Sequence, residues 1–423
     1  MTVLRYAFAI FAFFTGFMHA AAQKYVGGDI SLLPEYEKAG ATYYTHTGSA
    51  ITDVLGFFKE EGWNAMRVRL FVNPSNYTAS DKGNVCQDLD YVKALGKRIK
   101  DAGFKLMLDF HYSDGWADPG KQWTPAAWVS LKDARLGQKL YDYTKDVLRQ
   151  MKEAGAEPDF VQTGNEISYG MLWGAESASV KYYCYPSSSA NNWTRFTNLL
   201  QQATKATREE CPKAKVIIHV ERVSTSQQKD NANYAALKNF FRKMAEANID
   251  YDIIGLSYYP YFHGTIEELE GAVSYLEIAY PAKNIMVVEA GYPYAWEVGG
   301  TTFDYTAKYA YSDEGQKAFT DALVTMLNRH GHVNGLFWWW PEYNAKGTSL
   351  SGWYNAPLFD SRTGCATSAL SELRLFKGEA SGIKSLRNGK AVTDGNYYNL
   401  NGQVASAPFH GVFIHDGKKI VKK

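Results

Sequence analysis

Two glutamates in this chain each close an apolar run. Glu166 ends the stretch Asp159–Glu166, directly after Asn165, and Glu289 ends the run in MVVEAGY. A carboxyl group in a partly enclosed, hydrogen-bonded site can have its pKa raised and act as a proton donor. A second one beside a cation stays ionised and can attack. We take Glu166 as the candidate acid/base and Glu289 as the candidate nucleophile, with Arg69 expected nearby to favour the ionised form of Glu289. Cleavage of a glycosidic bond needs such a pair, one on either side of the bond. A retaining reaction sets the two carboxyl groups ~5–5.5 Å apart, the gap expected here. The surrounding residue types suit the same task. Asn165 could hydrogen-bond a sugar 2-hydroxyl, and Tyr258 or Tyr259 could hold Glu289 through its O–H. Asp29, Arg69 and His111 add polar groups. Trp339, within Trp338–Trp340, offers a stacking floor, and loop residues such as Trp116, Trp123, Tyr169, Trp173, Tyr292, Tyr294, Trp296 and Trp353 offer further flat faces.

These residues can meet only if the chain brings eight strand ends together. Apolar runs recur at Tyr25–Ile30, Met66–Val72, Lys105–Tyr112, Asp159–Glu166, Lys215–Val220, Asp252–Tyr259, Asn284–Tyr292 and Gly335–Trp340. Amphipathic stretches such as Leu89–Ala102 and Gly137–Ala154 lie between them. Continuous apolar strands alternating with helices imply a parallel sheet covered on both faces. Eight units predict an α/β fold, a closed (β/α)8 TIM barrel, over residues 23–376. An open doubly wound sheet is the alternative, and it loses support because VGGDIS lacks the glycine spacing of a dinucleotide site. In such a barrel the site lies at the C-terminal strand ends. The residues there are Asp29, Arg67, Arg69, Asp109, His111, Asn165, Glu166, Tyr258, Tyr259, Glu289 and Trp338–Trp340, with the two glutamates across the mouth from each other.

Composition narrows the partner. Lys and Arg number 45 against 44 Asp and Glu, a net charge of +1, which argues against a nucleic-acid surface. The 11 Trp, 30 Tyr and 22 Phe suit either an aromatic core or a surface that binds flat, wet rings. Residues 1–22 read as a secretory signal: Arg5, the apolar run Ala7–Phe14, and Ala20-Ala21-Ala22 before Gln23. A membrane anchor is the alternative, but the run is short and interrupted. The mature chain is expected to be monomeric, without a membrane span, and either secreted or periplasmic. Cys86, Cys184, Cys211 and Cys365 match no zinc spacing; they form up to two disulfides, Cys184–Cys211 having the shortest loop, or remain free. Residues 377–423 change character, with short alternating runs around Asn401-Gly402 and Asp416-Gly417, and predict a small β unit. This tail resembles the C-terminal sorting segments of secreted proteins in some Gram-negative bacteria, through YNLNGQ and GVFIHDGKKIVKK.

A family likeness is carried by GGDIS (Gly27–Ser31), MRVRLFVNP (Met66–Pro74) and DFHYSDGWADPGKQ (Asp109–Gln122). QTGNEISYGMLW (Gln162–Trp173) and VVEAGYPY (Val287–Tyr294) complete it. Over roughly Tyr25–Phe376 the chain resembles the glycoside hydrolases of family 53, the endo-β-1,4-galactanases. The resemblance implies Glu166 as acid/base and Glu289 as nucleophile. It also implies Asn165, His111, Arg69, Tyr259, Asp29 and the Trp339 region as a sugar-binding shell, and β-1,4-galactan as substrate. Some bacterial members carry a calcium loop after the seventh strand. Here that loop reads AWEVGGTTFDYT, with Glu297 and Asp304 its acidic residues, too few oxygens for a six- to eight-coordinate ion. No metal or other cofactor is expected. The residues taken alone do not separate galactan from mannan, glucan or xylan. A glycan-binding barrel without catalysis is the reading from another class.

Overall fold

The computed structural model describes residues 23–223, 231–295, 298–344 and 356–377, and the short strands Tyr397–Tyr398, Val404–Ala405, Gly411–His415 and Lys418–Lys422. The expected leader 1–22, Trp296, Glu297 and Trp353 lie outside the described residues.

Eight parallel strands close into a ring. They are β1 (Tyr25–Asp29), β2 (Ala65–Leu70), β3 (Lys105–Phe110), β4 (Phe160–Thr163), β5 (Lys215–Val220), β6 (Ile253–Tyr258), β7 (Asn284–Ala290) and β8 (Val333–Trp339). Each pairs with its neighbours in sequence, and β1 also pairs with β8, from Tyr25 opposite Gly335 to Asp29 opposite Trp339. That closure excludes the open sheet. Helices follow the strands in order: α1 (Val54–Glu60), α2 (Leu89–Asp101), α3 (Asp133–Glu153), α4 (Ala190–Glu210), α5 (Asn231–Glu246), α6 (Ile266–Ala279), α7 (Asp313–Asn328) and α8 (Ser368–Leu373). α2 shows why these segments form helices. Asp88 caps it by accepting from the Tyr91 N–H, and Val92, Leu95 and Ile99 recur on one buried face. Each such side chain, once buried, stabilises the fold by about 1.5–3 kcal/mol.

The strands are shorter at their C-terminal ends than the apolar runs suggested. Beyond β3, β4 and β8 the chain turns out of the ladder at residues with positive φ: Tyr112 (50°), Glu166 (46°) and Trp340 (56°). Such a residue cannot continue a strand, so Glu166 reaches the mouth from a bend, whereas Glu289 lies within β7 itself.

Side chains alternate between the two faces of each strand. One set, including Val68, Leu108, Val161 and Ile218, packs outward in the large core shared with the helices. The other points into the ring. Ala65, Met107, Phe160, Ile217, Ile253, Met286, Val288 and Phe337 form an apolar plug there. Two residues further along β2, β3, β4 and β5, that inner face becomes Arg67, Asp109, Gln162 and His219, all fully buried. The barrel is thus apolar at the bottom and ionic toward the mouth.

All four cysteines are free. The Cys184–Cys211 bridge weighed from sequence does not form. Cys184 Sγ packs against Asn192 at the start of α4, and Cys211 lies just past its end. A helix of 21 residues, roughly 30 Å long, separates them, far beyond disulfide reach.

Residues Glu379–Lys423 form a separate compact unit. Its four antiparallel strands run in the order Val404–Ala405, Tyr397–Tyr398, Gly411–His415, Lys418–Lys422, with His415 paired to Lys418 across the Asp416-Gly417 signal. Among the described residues no helix is long and apolar enough to cross a membrane.

Candidate active site

The site grows from a buried ionic layer. The Arg67 guanidinium contacts Asp29 Oδ2 at 2.8 Å, Asp109 Oδ2 at 2.8 Å, Asn165 Oδ1 at 2.9 Å and Glu289 Oε1 at 2.9 Å. A buried guanidinium is tolerated because the N–H groups around the edge of its planar fork meet acceptors. Arg69, two residues on, pairs with Asp29 Oδ1 at 3.0 Å, and the rings of Trp116, Trp339 and Trp340 stand 4.8, 5.3 and 5.2 Å from its charged carbon. Burial would push the Asp109 carboxyl up, but Arg67 and His111 outweigh it and hold the group below its ordinary value.

Glu289 faces this layer because of an irregularity. Gly255 pairs with Met286 and Leu256 with Val287, but Ser257 pairs with Glu289, so β7 carries one extra residue. Strict alternation from Met286 would send Glu289 outward; the bulge turns it into the ring. There its Oε2 accepts from the Tyr259 hydroxyl at 2.8 Å, which resolves the choice between Tyr258 and Tyr259. Tyr258 is fully buried and donates to Gly264 O instead. The cation on Glu289 is Arg67, not the expected Arg69, because Arg69 is drawn away by Asp29 and the tryptophan cage. Burial raises the Glu289 pKa; Arg67 and then Tyr259 oppose it.

Glu166 reaches the mouth by a different route. Gly164 (φ 112°) breaks β4, and Glu166 itself takes the left-handed conformation. Such backbone strain, of order 1–3 kcal/mol, recurs where a side chain must be aimed. Its backbone N–H points at His219 Nδ1 (3.3 Å), and its Oε1 accepts from Ser257 Oγ at 2.7 Å. Glu166 keeps partial exposure. Its pKa stands well above the ordinary value, through burial first and then the negative charges of Glu289 and Glu221, against the opposing Ser257 bond. Glu221, just past β5, accepts from Ser168 Oγ at 2.6 Å.

The other expected site residues fall into two groups. Asp29, Arg69 and His111 lie beneath the mouth, with their polar atoms turned to the protein. His111 Nδ1 accepts from the Ala117 N–H at 3.0 Å and Nε2 stands 3.1 Å from Asp109. Asn165 is nearly buried; its amide donates to Ala117 O at 2.8 Å while its oxygen faces Arg67. Trp116 is half-buried, tied to Asp81 through Nε1 at 2.9 Å, and Trp339 keeps 7% exposure. Trp173 differs from the expected stacking platform. It is 1% exposed and enclosed by Trp123 and Tyr183, so the neighbouring face open to the surface belongs to half-buried Trp123. Tyr292 and Tyr294 are likewise interior. Gln162, His219, Ser257 and Glu221 join the site without having been singled out. Their signal was present as polar residues spaced by two in the apolar runs at His219/Glu221 and Ser257/Tyr259. Among the described residues no cluster of three His, Cys, Asp or Glu could hold a metal, and Asp304 caps its own turn at Thr306.

A buried ionic layer, a partly exposed carboxyl with a strongly raised pKa and a buried carboxyl held by Arg67 and Tyr259 form an arrangement able to offer a proton on one side of a bond and a nucleophile on the other. The sequence matches the family model described as glycosyl hydrolase family 53 over residues 25–373. It is 32% identical over 373 residues to the arabinogalactan endo-β-1,4-galactanase of Cellvibrio japonicus, covering 84% of this chain and 91% of that protein. It is 31% identical over 325 residues to the endo-β-1,4-galactanase of Bacillus subtilis, covering 75% and 70%. The solved family 53 catalytic domain of Ignisphaera aggregans is similar with a TM-score of 0.70 and 31% identity, over 84% of this chain and 96% of that one.

Proposed function

The chain belongs to glycosyl hydrolase family 53 and is a glycoside hydrolase; from that premise we propose that it cleaves β-1,4-galactan internally, with retention at the anomeric carbon. The observation that carries the proposal is the unlike treatment of two carboxyl groups at one mouth. Burial raises both pKa values, but at Glu166 neighbouring negative charges add to the rise and carry it well above the ordinary value, whereas at Glu289 Arg67 and Tyr259 oppose it and hold it to about 7. In the first step Glu166 gives its proton to the leaving glycosidic oxygen while a Glu289 oxygen bonds to the anomeric carbon. In the second, ionised Glu166 takes a proton from water, whose oxygen displaces Glu289 and restores both groups. Asn165, its amide fixed by Arg67 and Ala117, is assigned to the 2-hydroxyl. The galactan assignment is supported by the Cellvibrio and Bacillus relatives, both of them endo-β-1,4-galactanases.

Comparing hydrolysis of galactan, mannan, cellulose and xylan tests the substrate, with galactan expected to be cut fastest and to shorter oligosaccharides from the outset. Activity on mannan alone would overturn it. Following fresh products by NMR tests the stereochemistry: the β-anomer should appear first, and an α-anomer appearing first would require an inverting reaction. We also propose export, on the strength of Ala7–Phe14 and Ala20-Ala21-Ala22. The processed protein should begin at Gln23, and an exported chain still beginning at Met1 would rule out that cleavage.

A further inference from the structure

The acid/base must release a proton and later recover one, and a carboxyl group has two oxygens that could carry it. The hydrogen bonds around Glu166 distinguish them. Ser257 Oγ lies 2.7 Å from Glu166 Oε1 and 2.8 Å from His219 Nε2. Both Ser257, on β6, and His219, on β5, are fully buried. The direction of this chain follows from the other nitrogen of His219. The backbone N–H of Glu166, which can only donate, points at Nδ1, and the Gln162 amide nitrogen lies 3.0 Å from it. Asn165 Oδ1 is also 3.1 Å from Nδ1, but that oxygen already accepts from Arg67 at 2.9 Å. Nδ1 is therefore an acceptor, and the neutral ring carries its proton on Nε2. Burial first, and then the Arg67 charge, keep the ring neutral by holding its pKa well below the ordinary value. Nε2–H donates to Ser257 Oγ, and among the described residues the acceptor left for the serine O–H is Glu166 Oε1.

We propose that His219 and Ser257 form a positioning relay that makes Oε1 of Glu166 a fixed acceptor and leaves Oε2 as the atom that carries the catalytic proton. Neither residue touches the reacting atoms. The relay turns the same oxygen toward the substrate in both steps, so the carboxyl group need not rotate between giving a proton and taking one. The proposal rests on Glu166 being the acid/base.

The test uses the full chain with Ser257→Ala, Ser257→Thr and Ser257→Cys, on galactan and on an aryl β-galactobioside with a good leaving group. Removing the hydroxyl should lower kcat/KM on galactan by about 10-fold or more, with KM little changed and a smaller loss on the aryl substrate. The serine bond stabilises the ionised carboxyl, so its loss should also move the alkaline limb of the kcat/KM profile to higher pH. Glu289 on β7, Glu221 after β5, Asp118 after β3 and Tyr259 after β6 also act on this carboxyl, and they are unchanged in all three variants. Ser257→Thr, which keeps a hydroxyl, should restore both rate and profile. Ser257→Cys, a weaker donor of similar size, should show the shift in smaller measure if the alanine variant folds poorly. An unmoved alkaline limb, or equal losses on both substrates, would reduce Ser257 to a packing residue and overturn the relay. Glu166→Ala serves as the separate control: loss of the aryl substrate as complete as the loss of galactan would remove the acid assignment itself.

Discussion

A carboxyl group packed against Arg67 and one packed against Ser257 do not titrate alike, and the pH dependence of turnover should reflect it. In the proposed mechanism activity requires Glu289 ionised and Glu166 protonated. It should therefore fall on the acid side as Glu289 takes up a proton and on the alkaline side as Glu166 loses one. Glu289→Ala should lower turnover by more than about 10³-fold while oligosaccharide binding, followed by calorimetry, persists. Glu166→Ala should lose about 10²–10⁴-fold on galactan but retain aryl glycosides with good leaving groups, which need little acid help. A third glutamate affects stability instead. Glu342 is fully buried, accepts the Leu32 N–H at 3.0 Å, and has an Oε2 with no hydrogen-bond partner. Burial, then the negative charge of Asp29, raises its pKa to about 8. A carboxyl raised on folding favours the folded state below its unfolded value and loses that contribution as pH rises. The loss should span the interval from 4.5 to about 8. Glu342→Gln, which imitates the protonated group, should flatten the decline of Tm across that interval; an unchanged slope would mean that Glu342 is ionised in the fold.

At the level of elements, the eight runs of apolar sequence announced eight strands, and QTGNEISYGMLW and VVEAGYPY announced where two of them must end. The inward direction of Glu289 was not legible. It depends on one extra residue in β7, and a bulge leaves no signature in an unbroken run such as IMVVEA. The partner of Glu289 was misplaced for a related reason. Arg67 and Arg69 lie on the same face of β2, and only the depth of each in the ring decides which carboxylate it meets. Trp173 was misread because flatness and polarity are properties of the residue, whereas exposure is a property of its neighbours. A single glycine shows how tightly these elements are fitted. A Cβ on Gly27 would collide with the Ala65 carbonyl oxygen, where β1 and β2 run side by side. Gly27→Ala should cost on the order of 3 kcal/mol or more and separate the Asp29–Arg67 pair with it. Urea unfolding measures the first effect and the loss of turnover the second; a variant of full stability would show that the strands can move apart.

Taken whole, the molecule uses its aromatic residues for two purposes, and composition could not apportion them. Trp63, Trp128, Trp193 and Trp338 belong to the core, whereas Trp116 and Trp339 surround Arg69 at the mouth. The near-zero net charge fits the proposed substrate, an uncharged polymer for which electrostatic steering has no role. Cohesion is entirely noncovalent in the described barrel, since its four thiols are free. Its Tm should therefore be the same with and without dithiothreitol, and a drop of several degrees would reveal a bridge.

The pairing of β1 with β8 bears on how the chain is made. Residues 25–29 are the first barrel strand to be made and must wait for residues 335–339 before their outer edge is covered. Until β8 is made, the strands already present can form at most an open ribbon with two unpaired margins, each able to recruit a strand from another chain. The entropic cost of joining ends so far apart grows only slowly with length, but the search is slow. The contact that seals Asp29 against Trp339, and with it the ionic layer around Arg67, is therefore among the last the growing chain can form. Until then a nearly finished polypeptide has its two glutamates and no enclosed mouth in which to use them.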